Sequence, residues 1–494
     1  MADAPRYRNL IGGALEPAAS GVSLVSRNPA TGEVVAHLPD SDPSDAHRAV
    51  EAAAAAFLRW SAAAPKERAG YVERAAAVFE EHGAELGRIE ASDNGTLLGV
   101  SEAMDGPAMV EVWRSAAHDA VAAMAGRSAV LDPNTFGLTR REPFGVVAVI
   151  VPYNMPIAMF CVKVARAIAA GNTVVAKAPE QAGAGIMRLA ELLADAFPPG
   201  VVNVVAGLGH VGDAIVRHPA VRKVTMTGSS ATAKLIQQAT AETLTPSTFE
   251  LGGKSPNIVF ADADLELAAF GLTIPSVYNF NAGQACVAGS RMLVERPVLA
   301  EVIDRVRAIA EAITIGDPLD PATEMGPLVS QDQYDKVVGY LELGRKEADL
   351  VFGGRHGAEV VPSLPNGFWV EPTLFLTDDN SIRICREEIF GPVATIIPFD
   401  TDEEAVAIAN DSRYGLAAGV WTNDLGRAQR MIRDVQAGNV WVNSYMQVRD
   451  ELPFGGIKES GYGHDGILEF TWEKTAVIAT APVAGLIGGA PPSA

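Results

Sequence analysis

Six apolar residues in succession, Val146-Val147-Ala148-Val149-Ile150-Val151, constrain this chain more than any other stretch. A strand with no polar position offers water no face, so it belongs inside a sheet covered on both sides. The residues that follow fit that picture. A helical pattern from Val162 to Ala170 stops at Gly171-Asn172, and Thr173 to Ala176 reads as another buried strand. Helix Gly183 to Ala196, strand Val201 to Val205, strand Lys223 to Met226 and helix Ala231 to Thr243 extend the alternation, the pattern of a parallel α/β sheet. A second series begins with helix Leu265 to Tyr278, strand Arg291 to Val294 and helix Val298 to Ala312, and runs on to strand Gly438 to Val442. At 494 residues the chain can hold both series as separate cores.

The flanks are simpler. Asn28-Pro29-Ala30-Thr31-Gly32 reads as a turn between strands, and Asp42-Pro43 as an N-cap with proline opening the helix. Alanine-rich helices from Ala46 to Ala62 and Lys66 to Glu90 follow, closed by Asp93-Asn94-Gly95. Ser128 to Arg141 suggests a hairpin, Thr475 to Thr480 a late strand, and Gly485 to Ala494 a mobile tail.

A net charge of -21 disfavours nucleic acid and anionic membrane as partners. Three widely spaced cysteines, Cys161, Cys286 and Cys385, form no CxxC pattern, so no metal site is expected and a cytoplasmic location is. The start carries no basic segment followed by an apolar run, and Pro152, Asn154 and Pro156 interrupt the most apolar region, which argues against a secretory signal and a spanning helix.

The chemistry gathers around Phe280-Asn281-Ala282-Gly283-Gln284-Ala285-Cys286, a polar loop bearing a thiol, and Phe249-Glu250-Leu251-Gly252-Gly253-Lys254-Ser255-Pro256, a carboxylate beside a Gly-Gly turn. Taken singly, such a cysteine is most often a small buried hydrophobe and such a glutamate a turn residue. Together with Pro152-Tyr153-Asn154-Met155-Pro156 after the buried strand, they supply a nucleophile, a base and an amide donor for a developing oxyanion. Gly207-Leu208-Gly209-His210-Val211-Gly212 fits G-x-G-x-x-G but lacks the acidic residue expected at the end of the next strand. Thr227-Gly228-Ser229-Ser230, just before a helix, suits a pyrophosphate better.

These strings, with Lys177-Ala178-Pro179-Glu180, Glu387-Glu388-Ile389-Phe390-Gly391-Pro392 and Pro453-Phe454-Gly455-Gly456, resemble the motifs of the aldehyde dehydrogenase superfamily over roughly Ser26 to Thr480. The resemblance implies a Rossmann-like NAD-binding domain (1-127 and 142-249), an α/β catalytic domain (250-450), a small β bridging element for oligomerisation (128-141 and 472-494) and a return segment (451-471). It implies Cys286 as nucleophile, Glu250 as general base, Asn154 as oxyanion donor beside the Cys286 N–H, and Lys163 on a proton path behind the base, where a plain reading gives a surface or capping lysine. Cofactor contacts carry over to Ile150, Val151, Lys177, Glu180, Gly207, Thr227, Gly228, Ser229, Leu251, Glu388 and Phe390. Glu180 accepting both adenosine ribose hydroxyls favours NAD over NADP.

Departures are Tyr153 for the usual tryptophan, a glycine string one residue shorter than usual, Ala233 for glycine, and His464-Asp465 for Arg-Glu. The implied substrate tunnel is Met155, Ala158, Val162, Val287, Tyr445 and Val448, mostly apolar, which suggests an uncharged aliphatic or aromatic aldehyde, although Arg449 lies close by in sequence. Alternatives are a semialdehyde dehydrogenase, a coenzyme A-acylating enzyme and a non-catalytic NAD-binding protein. A homodimer or homotetramer is expected, with Cys161 and Cys385 as packing residues.

Overall fold

The computed structural model describes residues 4–122, 124–449 and 452–480. An eight-stranded sheet is ordered Gly461–Tyr462, Ser247–Leu251, Val221–Gly228, Val146–Ile150, Thr173–Lys177, Val202–Val205, Asn9–Ile11, Ala14–Glu16. The five strands between Ser247–Leu251 and Val202–Val205 run parallel, and the outer ones antiparallel. The all-apolar run of the sequence is the middle strand, and Val147, Ala148 and Val149 are fully buried. Apolar clusters cover both faces, one under helices Pro65–Asn94, Pro156–Ala169 and Ala184–Leu193, the other under Pro43–Ala62, Gly209–Val216 and Ser230–Ala241.

A seven-stranded sheet is ordered Asp349–Phe352, Thr373–Leu376, Val393–Phe399, Arg291–Glu295, Pro256–Val259, Ala417–Trp421, Asn439–Val442, parallel except for the first strand. A third sheet, wholly antiparallel, joins Thr471–Ala479, Thr135–Pro143 and Ser128–Asp132, and every residue of Ser128–Asp132 is exposed.

Local signals explain the boundaries. Asp42 and Asp45 form a reciprocal capping box on the helix that Pro43 opens, and Gly95, at φ 84°, closes Pro65–Asn94 in the left-handed region glycine tolerates. Three expectations shift. The helix expected from Val162 starts at Pro156, because a proline at the first position costs no hydrogen bond. The helix expected to reach Tyr278 ends at Thr273, with Ile274 still helical as its C-cap and Pro275, which has no N–H to donate, following it. Glu250, read as opening the second unit, closes the first: it pairs with Thr227, and the chain enters the second sheet only at Pro256. The tail from 485 to 494 lies outside the described residues.

The two large sheets meet edge to edge in a defined sense. Ile150, Lys177, Val205, Gly228 and Leu251 end the parallel strands of the first sheet. Gly253, Cys286, Gly391, Leu416 and Gly438 precede strands of the second. Hydrogen bonds from Asn154 Nδ2 to Gln284 O and from Gly415 N–H to Ser460 Oγ cross between these ends. In the first sheet the strand order reverses beside Val146–Ile150, which opens a crevice at its carboxyl end, where Tyr153 and Asn154 follow.

Candidate active site

The cysteine loop is held in an uncommon backbone conformation. Asn281, Ala282 and Gly283 have φ of 51°, 48° and 72°, three left-handed residues in a row, two of them not glycine. Side chains over-determine that shape. Asn281 Nδ2 donates to Asn154 O at 2.8 Å and its Oδ1 accepts from Thr96 at 3.0 Å; Gln284 Nε2 donates to Asn281 O at 3.1 Å and its Oε1 accepts from Val329 N–H at 3.0 Å. Strain held this way fixes a loop before any ligand arrives.

Glycines let three loops touch. A Cβ on Gly253 would run into the Cys286 carbonyl oxygen, one on Gly283 into the Gly391 carbonyl, and one on Gly252 into the Glu388 carboxylate. Gly253 N–H donates to Glu388 Oε1 at 3.0 Å. The motifs carrying Glu250, Cys286 and Glu388, far apart in sequence, are thus in mutual contact.

Cys286 is half-buried, whereas Cys161 and Cys385 are fully buried. Burial, then the charges of Glu250 and Glu388, push the Cys286 thiol up to about 12, while the N–H groups of Val287 and Cys286 itself favour its thiolate. Asn154 donates through Nδ2 to Gln284 O at 2.9 Å, which uses one of its two amide hydrogens. Glu250 is 2% exposed, and neither carboxylate oxygen has a hydrogen-bond partner. Burial and the charge of Asp465 hold its carboxyl well above the usual range, and Lys163 acts in the opposite direction.

Lys163 is fully buried and bonded to Asp465 at 3.0 Å, so it is neither a surface nor a capping lysine. Beside this pair, Lys223 donates to Thr248 Oγ1 at 2.6 Å, Thr248 donates to Glu469 at 3.3 Å, and burial pulls Lys223 down to about 8. Lys223, Thr248 and Glu469 were not singled out in the sequence. Their signal is the two-residue spacing of Thr248 and Glu250, which puts both on one face of a strand.

The strand ends of the first sheet carry groups that fit a dinucleotide. Ser229 caps helix Ser230–Ala241, whose first N–H groups face outward, and the buried Thr227 Oγ1 has no partner. Lys177, the last residue of strand Thr173–Lys177, pairs with Glu180 at 2.5 Å, and Glu180 is exposed. Gly207, at φ 145°, begins the turn into helix Gly209–Val216, and Ile150, Val151, Gly228 and Leu251 stand at or just beyond neighbouring strand ends. Ala233 packs into the core, which takes up the methyl that glycine lacks. Glu388 and Phe390 are half-buried, and burial holds the Glu388 carboxyl above its ordinary range, with the charges of Lys336, Lys254 and Arg413 and the Gly253 N–H acting against it.

The tunnel residues divide. Val287 lies in the cluster around Cys286, together with Phe280, Trp441, Met446 and Phe454, which sequence reading did not name as pocket residues. Met155 and Val162 are half-buried and Val448 is 53% exposed. Ala158 packs into the first core, and Tyr445, 3% exposed, donates its hydroxyl to Val287 O at 2.6 Å. Tyr445 therefore fixes the residue after the thiol. Arg449 is exposed and bonds Gln447 at 3.4 Å. Among the described residues no cluster of metal-binding side chains occurs, and no helix is long and apolar enough to cross a membrane.

Residues 17–478 match the aldehyde dehydrogenase family. The chain is 39% identical over 470 residues to a probable aldehyde dehydrogenase of Mycobacterium tuberculosis, covering 93% of this chain and 91% of that one. It is 40% identical over 496 residues to phenylacetaldehyde dehydrogenase of Pseudomonas fluorescens, covering 96% of each. PnpE of Pseudomonas sp. WBC-3, solved in complex with nicotinamide adenine dinucleotide, superposes with a TM-score of 0.93 at 36% identity, over 97% of this chain and 99% of that one. The chain belongs to the aldehyde dehydrogenase family and is an NAD-dependent oxidoreductase that converts an aldehyde to the carboxylic acid.

Proposed function

We propose that Cys286 attacks an uncharged aliphatic or aromatic aldehyde, with Glu250 as base and Asn154 as oxyanion donor. The observation that carries this is the meeting of a half-exposed thiol, an amide with a hydrogen to spare and a buried carboxylate without a partner where the two sheets touch. The raised thiol must lose its proton to react, and Glu250, itself raised, accepts it more readily than an ordinary carboxylate would. Attack puts negative charge on the aldehyde oxygen, which the free Asn154 hydrogen and the Cys286 N–H stabilise; one such donor lowers the barrier by about 3 kcal/mol. Thr227, Ser229, Lys177, Glu180, Glu388 and Phe390 would hold NAD, which would serve as the hydride acceptor. Glu250 then activates the water that frees the acid, and Lys163 with Asp465 carries its proton away.

Phe280, Trp441, Met446 and Phe454 around the thiol favour a substrate without charge, since an unpaired carboxylate there would lose several kcal/mol of solvation. Both aliphatic and aromatic aldehydes fit such a lining. Arg449 supports the competing semialdehyde reading. Steady-state rates with benzaldehyde, phenylacetaldehyde, hexanal and succinate semialdehyde, with and without coenzyme A, decide: a strong preference for the semialdehyde, or a thioester product, overturns the assignment.

Glu180 supports NAD over NADP, and equal kcat/KM with both would refute that preference. The exposed Val130, Leu131, Val477 and Ile478 on the three-stranded sheet support a homodimer or homotetramer, and light scattering of the protein with residues 128–141 replaced by a short linker tests it. The unpaired cysteines support a cytoplasmic setting.

A further inference from the structure

A groove of about 360 Å3 lies where helix Pro43–Ala62 ends against the root of the three-stranded sheet, and it shares no residue with the cluster around Cys286. Its lining comes from separate parts of the chain. Phe57 and Ser61 stand one turn apart on the helix, Trp472 and Glu142 pair across strands Thr471–Ala479 and Thr135–Pro143, and Phe144 follows the second of these strands. The volume suits a small organic ligand, and three of these five residues are aromatic.

The register puts Trp472 opposite Glu142 and Lys474 opposite Arg140, so all four side chains share one face of the sheet. A side chain already on that face indicates what it binds. Lys474 Nζ stands 5.0 Å from the centroid of the Trp472 ring and 3.3 Å from Glu142 Oε1. An ammonium over an indole face, with a carboxylate beside it, is how aromatic sites hold alkylammonium ligands.

This occupant is only loosely held. The Lys474 side chain is 51% exposed, and exposed ion pairs of this kind are weak. Arg140 also reaches Glu142 Oε1, at 3.3 Å, which leaves Oε2 open to a further donor. Ser61 and Ala62 bring the carbonyl end of the helix to the groove, and that pole favours a cation as well. A free ammonium that takes the place of Lys474 exchanges one cation for another, so it meets no added repulsion at Glu142.

We propose that this groove is a binding site for a small alkylammonium ion, with Lys474 as its tethered stand-in. The charge of the ion sits over Trp472 beside Glu142, and its alkyl part lies against Phe57 and Phe144. The chain's net charge of -21 enriches such cations at its surface.

Butylammonium, in effect a lysine side chain without its backbone, is the probe, and n-butanol is its uncharged counterpart. Full-length protein labelled with fluorotryptophan is titrated at constant ionic strength and followed by fluorine NMR, where the Trp472 signal is the one missing from Trp472→Phe. Butylammonium is expected to shift that signal saturably, with a midpoint about tenfold below that of n-butanol. Lys474→Ala removes the competitor and tightens binding about threefold to fivefold, Lys474→Gln does the same while keeping most of the side chain, and Glu142→Gln weakens it by a similar factor. NADH formation is unaffected in all three.

A shift that never saturates, equal midpoints for butylammonium and n-butanol, or an unchanged midpoint in both Lys474 variants would each overturn the site. Binding confined to protein concentrations below those at which the chain assembles would overturn it too, because a second copy would then cover the groove.

Discussion

Two groups of carboxylic acids lie wholly or partly inside this protein, and the contrast between them isolates what makes an acid useful. Glu90, Asp93 and Asp105 lie beneath helix Pro156–Ala169, with Glu90 Oε2 accepting the Ile157 N–H at 3.2 Å and Asp93 accepting the Ala184 N–H at 2.7 Å. Burial raises Glu90 to about 8 and Asp93 to about 6, and Asp105 is raised too, with both oxygens unpartnered. Glu250, Asp465 and Glu469 form the other group, and there Lys163 and Lys223 interleave with the acids. Raised acids occur in both groups, so a perturbed carboxyl does not by itself mark an active site. What differs is the company: the first group neighbours the sealed thiol of Cys161, the second the half-exposed thiol of Cys286, and only in the second do lysine charges act on the acids.

The largest effect tests that company directly. Cys286→Ala is expected to lower NADH formation by more than about 10^4-fold with unchanged Tm, and Cys161→Ala to keep turnover while losing stability from a small cavity. Retained activity in Cys286→Ala would erase the distinction between the two groups. Next comes Glu250→Gln, expected to lower kcat by about 10^2- to 10^4-fold because the amide cannot take a proton. Thioester accumulation in this variant, read by acid-quench mass spectrometry, would separate loss of the hydrolytic step from loss of thiol activation.

A smaller effect carries a sign. Lys163 lowers Glu250 and Asp465 raises it, so the two removals move the pH profile in opposite directions. Lys163→Met shifts the ascending limb of kcat/KM to higher pH, since Glu250 then needs a higher pH to ionise. Asp465→Asn shifts it to lower pH. Unshifted limbs in both variants would mean that the limb reports a group remote from this pair.

The sequence was legible where a residue's role depends on its neighbours in the chain. The middle strand of the first sheet, the Asp42 cap and the Gly95 stop follow from apolar runs and turn chemistry. The Cys286 loop, the Gly252-Gly253 turn and the Glu388 motif were visible as strings, but their contacts through Gly253, Gly283 and Gly391 were not, because they depend on how the two sheets abut. Lys163 shows the limit most clearly. On a helix a lone lysine reads as solvated, and only Asp465, some three hundred positions away, makes its burial tolerable. Tyr445 shows the same limit in reverse, since a tyrosine near the substrate loop reads as a pocket wall until its hydroxyl is found on Val287 O.

The smallest effect concerns the silent group and is a matter of stability. Glu90 has its folded value raised to about 8 from an ordinary 4.5, so the folded state favours the neutral acid. The stabilisation from that neutral form is complete below the ordinary carboxylate range and is lost as pH climbs from there to about 8, because ionisation is easier in the unfolded chain. Glu90→Gln removes the titration and keeps an acceptor for Ile157 N–H, while its new amide hydrogens face the acid beside it. The variant should therefore gain a few degrees of Tm at pH 8 to 9 relative to wild type, with a smaller gain or a loss at pH 5, and keep kcat within about twofold. A Tm difference independent of pH would show that Glu90 is ionised in the folded protein. A large fall in kcat at unchanged Tm would show instead that the first group, like the second, takes part in the chemistry.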